Sequence, residues 1–133
     1  MPMTRAYGQF VVEITPLEPA TDMDGVSTGR NQVDKQFQGD LEGISRGVML
    51  TAMIPATQSA AYVAIERVTA RMEGRRGTFV LQHTGTSTAT GQKLLVTIVP
   101  GSGTGQLAGI TGSMQIEVRG GNHSYTLEYS LGA

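Results

Sequence analysis

Apolar and polar residues alternate with period two through much of this 133-residue chain. The closing segment is clearest. His123, Tyr125, Leu127, Tyr129 and Leu131 fall on one face of an extended strand, and Ser124, Thr126, Glu128 and Ser130 on the other. By the same rule Met114, Ile116 and Val118 look inward from the preceding segment, and Phe79, Leu81 and His83 from one further upstream. Strand-like runs precede these at Tyr7–Ile14, at Arg30–Ser45 with breaks at Gly39 and Gly43, after Gly47, and over residues 60–72. Another covers residues 93–99. Glycines within such runs mark bulges or sharp coiling, which a small barrel needs in order to close.

The count is about eight strands, punctuated by turn signals at Gly74, Gly77, Gly91, Gly101 and Gly120-Gly121. Short, evenly spaced strands without a convincing helix predict one all-β domain, an eight-stranded antiparallel β-barrel. Residues 60–72 contain good helix formers, but Tyr62, Val63 and Ile65 and the neighbouring strands favour extended structure. Residues 16–29 read as a polar connection, and 103–112 as a tight turn with a short helical corner.

Two strands leave their direction open. In 60–68 one face is Tyr62, Ala64, Glu66 and Val68, the other Val63, Ile65 and Arg67. In 40–45 Asp40, Glu42 and Ile44 oppose Leu41, Gly43 and Ser45. Either way a carboxylate lies near apolar surface, where an unpaired charge costs several kcal/mol or is neutralised. Glu42 and Glu66 are therefore the candidate catalytic carboxylates. A structural role for Glu66, paired with an arginine such as Arg46 or Arg119, is the competing reading.

Composition narrows the chemistry. The chain has no cysteine, which excludes disulfides, thiol catalysis and Cys-ligated zinc. Ten Lys and Arg balance eleven Asp and Glu without a basic stripe, so no nucleic-acid partner is expected. No signal-peptide pattern opens the chain and no run approaches a membrane span, so a cytoplasmic protein with no membrane partner is expected. His83 and His123, the two histidines, could join Glu42 or Glu66 at a metal, but nothing in their spacing supports this. Neither a metal nor another cofactor is expected. Tyr62, His83, His123, Tyr125 and Tyr129 are the candidate ligand-binding residues, against a reading of Tyr125 and Tyr129 as core with locally satisfied hydroxyls. The loop at 102–109 lacks the lysine and the βαβ setting of a phosphate cradle.

The phrases FQGDLEGIS, AYVAIERV, GTFVLQHTGT, VPGSGTGQLAGITG and HSYTLEYSL occur in this order. Together they resemble the small bacterial family known as domain of unknown function 3224 (DUF3224), from about Phe37 onward and over the first strand. The resemblance implies an eight-stranded barrel of the allene oxide cyclase type, a shape shared with plant dirigent proteins. In allene oxide cyclase-like barrels an apolar interior folds a reactive substrate, polarised by a carboxylate and a bound water. Glu42 and Glu66 are this chain's candidates for that carboxylate.

Three functions follow as expectations. The first is binding of a small apolar or amphipathic molecule inside the barrel. The second is a cofactor-independent cyclase or isomerase using an interior carboxylate. The third is an oligomeric interaction module with a filled barrel. Apolar outward residues such as Val63, Ile65, Leu95 and Val99 predict a homo-oligomer.

Overall fold

The computed structural model describes residues 3–132. The strands are β1 (Thr4–Pro16), β2 (Thr21–Met23), β3 (Val26–Gly39), β4 (Leu41–Ile54), β5 (Ser59–Met72), β6 (Arg75–Thr88), β7 (Gly91–Ile98), β8 (Thr111–Arg119) and β9 (Asn122–Ser130). Short 3₁₀ turns lie at Pro55–Thr57 and Gly105–Leu107. Sheet neighbours run β1-β9-β8-β7-β6-β5-β4-β3-β2, all antiparallel, and β1 also pairs with β3 from Gly8↔Gly39 to Pro16↔Asn31. That last pairing closes an eight-stranded barrel and leaves β2 outside the ring. Among the described residues no helix is long and apolar enough to cross a membrane.

Residues 60–72 lie within a strand, and the corner at Gly105–Leu107 is helical, both as expected. Two details differ. The predicted strand from Arg30 to Ser45 is a hairpin, with Gly39 at φ +106 and Asp40 between β3 and β4. Asp40 donates its N–H to the Tyr7 carbonyl and accepts the Tyr7 N–H on Oδ2, so it ties this turn to β1. Gly43 and Gly47 instead lie inside β4, where a Cβ would overlap the carbonyls of Thr69 and Ile65 on β5. Their absence of side chains permits the tight coiling of that pair.

The second difference is β2. It pairs with the start of β3 across Asp24-Gly25, both at positive φ (54° and 80°), as a two-residue hairpin turn requires. The Asp-Gly dipeptide inside the supposed connection carried that signal.

The barrel is packed in one half and hollow in the other. Leu107 and Ile110, both fully buried, close one end, joining Leu41, Met72, Phe79, Leu81 and Leu127 in a continuous apolar core. The segment that delivers them is held against β6: Thr104 N–H donates to the Thr78 carbonyl, and a Cβ at Gly77 would overlap the Thr104 carbonyl. Towards the other end the core gives way to a cavity.

Candidate functional site

The strand faces decide the site. β5 turns Ala64, Glu66, Val68, Ala70 and Met72 inward and leaves Val63 and Ile65 exposed. β4 turns Leu41 and Ser45 inward and β3 turns Val33, Lys35 and Phe37 inward. Glu66 is 1 % exposed and Lys35 5 % exposed, so a full ion pair lies inside the barrel.

Lys35 Nζ donates to Glu66 Oε2 at 3.0 Å, and Ser45 Oγ donates to Oε1 at 3.0 Å. His83 Nδ1 lies 3.2 Å from Oε2, and its Nε2 lies 2.8 Å from the Tyr62 hydroxyl. Lys35 Nζ also stands 4.9 Å from the centre of the Phe10 ring. Glu66 thus accepts from three side chains on three different strands. Among the described residues no buried side-chain polar atom lacks a partner.

The electrostatics follow. Burial alone would raise the Glu66 carboxyl, but the His83 hydrogen bond, the Lys35 charge and hydrogen bond and the Ser45 hydroxyl outweigh it, holding the group at about 2. Glu66 is a carboxylate at any physiological pH. Burial, then the charge of Glu66, pushes the Tyr62 phenol up to about 12, so it keeps its proton. With a neutral ring, the carboxylate takes the Nδ1 hydrogen of His83 and leaves Nε2 to accept from Tyr62.

These groups form one floor of a cavity of about 460 Å³. Its walls are mainly apolar, including Phe10, Val12, Val33, Met49 and Ile116, with Lys93 and Val118 also on the lining. Tyr62 stands edge-on to His83, ring centres 5.1 Å apart, in space that Gly85 leaves open; a Cβ at Gly85 would overlap the Tyr62 ring. His123 also lines the cavity, packed 5.1 Å from the Phe10 ring.

The predicted site residues therefore divide. Tyr62, Glu66, His83 and His123 share the cavity. Glu42 does not: it is on the outer face, 59 % exposed, and accepts from Arg71 Nη2 at 2.7 Å. The reason is register, since Leu41 and Ser45 fill the interior and Glu42 alternates with them.

Tyr125 and Tyr129 point inward but belong to the packed half. Leu41 N–H donates to the Tyr125 hydroxyl at 3.0 Å, and the hydroxyl donates to the Gln38 carbonyl at 2.9 Å, fastening the β3–β4 turn. Burial, then Glu73, raises the Tyr129 phenol at the closed end. The partner of Glu66 is not an arginine: Arg46 pairs with Asp34 and Arg119 with Glu117. Lys35 escaped the sequence reading, although its alternation with Val33 and Phe37 places it inward. Among the described residues no group of three or more His, Asp and Glu is arranged to hold a metal.

The sequence model of the family described as "Protein of unknown function (DUF3224)" matches residues 6–129. The chain belongs to the DUF3224 family. A crystal structure of a DUF3224 protein of unknown function from Shewanella oneidensis MR-1 superposes on it with a TM-score of 0.90. The two are 44 % identical, and the match covers 96 % of this chain and 97 % of that one. No curated protein matches. This DUF3224 chain thus shares its whole barrel with a solved relative.

Proposed function

We propose that this DUF3224 barrel binds a small, mostly apolar molecule in the hollow half, with one polar group of the ligand meeting the Lys35–Tyr62 floor. The observation that carries the reading is the combination of a cavity of about 460 Å³, apolar walls and a convergent polar floor. Small-molecule sites have this composition: apolar area for affinity and a few fixed polar groups for orientation. Lys35 supports it further. Of three ammonium hydrogens, one goes to Glu66 and, among the described residues, no second protein acceptor is present.

A cyclase or isomerase using Glu66 as a base has weaker support. A carboxylate held at about 2 by Lys35, His83 and Ser45 has little appetite for a proton.

Titration with 11-(dansylamino)undecanoic acid tests the binding reading. The expected result is saturable one-site enhancement, abolished by Ala60→Trp at the cavity lining and retained in Tyr125→Phe. Unchanged fluorescence, or enhancement indifferent to Ala60→Trp, sinks it.

The outer wall supports self-association as well. Leu50, Val63 and Leu95 are each about half exposed or more. The pairings Leu50↔Val63, Val63↔Thr84 and Thr84↔Leu95 put them in one row across β4 to β7.

A further inference from the structure

Glu66, His83 and Tyr62 form a hydrogen-bond chain in which the His83–Tyr62 link can run in either direction. With His83 neutral, the Nδ1 hydrogen goes to Glu66 and Nε2 accepts from Tyr62, so the phenol offers the cavity only lone pairs. With His83 protonated, both ring nitrogens donate. Nε2 then donates to the Tyr62 oxygen, and the phenol hydrogen is free to turn into the cavity. The chain has no third arrangement while Glu66 remains ionised, because Nδ1 facing a carboxylate must carry hydrogen.

We propose that the cavity takes apolar molecules bearing a carbonyl-type hydrogen-bond acceptor, and that binding one draws a proton onto His83. This rests on the binding reading above and names the ligand class and its coupling. A carbonyl oxygen has no hydrogen to give, so the neutral chain offers it nothing at Tyr62. With the His83–Tyr62 link reversed, the carbonyl gains the phenol hydrogen in addition to the Lys35 ammonium. An alcohol carries its own hydrogen and binds the neutral chain without reversing it.

The surrounding charges set the balance. On β5, Glu66 favours an imidazolium, and Tyr62 accepts its second hydrogen. On β3, Lys35 opposes it and competes for the same Glu66 oxygen, Oε2. On β7, Val96 lies opposite His83 in the sheet and carries no charge, while Lys93 lines the cavity and opposes a second cation. On β9, His123 lines the cavity and adds repulsion when charged. A ligand that takes the Tyr62 hydrogen therefore favours the protonated ring over the neutral one. Glu66 stays ionised throughout, held at about 2, and Tyr62 stays a phenol, pushed up to about 12.

Calorimetry with 2-decanone and 1-decanol at pH 8, each in two buffers of different ionisation enthalpy, tests the coupling. Neither probe titrates, so any proton exchange belongs to the protein. The expected result is uptake of up to one proton per ketone bound and none per alcohol. Ketone affinity should rise up to about tenfold for each pH unit lowered while uptake is complete. Tyr62→Phe should bind the ketone more weakly and with no proton uptake, and long-range ¹H–¹⁵N spectra should show His83 as the Nδ1–H tautomer in the free protein. Ketone binding without proton exchange, or a free His83 bearing its hydrogen on Nε2, overturns the proposal and leaves the binding reading standing. Failure of both probes to bind overturns both.

Discussion

Lys35 and Glu66 meet at 3.0 Å inside the barrel although the whole of β4 lies between their strands. The curvature of the closed wall brings the inward side chains of β3 and β5 together, and Ser45 of β4 completes the contact from between them. A buried pair of this kind is costly to split, because the survivor keeps its charge without its counter-charge.

Lys35→Met and Glu66→Gln are each expected to destabilise the fold by about 3 kcal/mol. The double variant should lose about 1–3 kcal/mol less than the sum of the two. Urea unfolding of the four proteins measures the coupling. Strict additivity would mean that the pair contributes nothing as a pair.

The pH dependence has a definite sign. The Glu66 carboxyl falls from an ordinary 4.5 to about 2 on folding. A depressed carboxyl stabilises the fold above its unfolded value, and that contribution is lost as pH falls from about 4.5 towards 2. The loss should approach ~3 kcal/mol at the acid end. Glu66→Gln should flatten the stability curve across this window, as followed by urea midpoints between pH 5 and 2.5. An unchanged acid limb in the variant would assign it to other carboxylates.

Tyr125→Phe separates fastening from binding. Removing the hydroxyl leaves the Leu41 N–H and the Gln38 carbonyl without this partner at the β3–β4 turn. A loss of about 1–3 kcal/mol is expected, with dye affinity unchanged. A weaker dye titration at full stability would return Tyr125 to the ligand site.

Glu42→Gln should do almost nothing. Glu42 and Arg71 are both about half exposed, and surface ion pairs contribute about 0–1 kcal/mol. Thermal melts and dye titration should match the parent protein. A large loss in either would place Glu42 in a role that its outer position does not explain.

Val63→Lys with Leu95→Lys probes the outer row. Light scattering after size exclusion should show an oligomer for the parent chain and a smaller species for the variant, because two ammonium groups would be desolvated at the contact. A parent chain of monomer mass would assign the apolar row no partner of its own kind.

Period-two alternation carried much of this architecture by itself. It is a backbone property, so it was legible in His123–Leu131, in Met114–Val118 and in Phe79–His83 without any tertiary information. It left the direction open at Tyr62–Val68, where each face is largely apolar and carries one charge, and at Asp40–Ser45, where each face mixes one large apolar residue with polar or small ones. There the choice depends on what the neighbouring strands already place inside. It also made no distinction between Tyr62, which lines the cavity, and Tyr125, which shares an inward face but is buried in the packed half.

What the chain determined alone is an antiparallel barrel with His83 and Tyr125 turned inward, since local pattern and turn residues dictate strand and face. The closed structure decided the rest. Barrel closure brought Lys35 to Glu66 across an intervening strand, and Leu107 and Ile110 filled one half while the other stayed hollow. Those outcomes depend on side-chain volumes and distances summed around eight strands, which no single stretch of sequence contains.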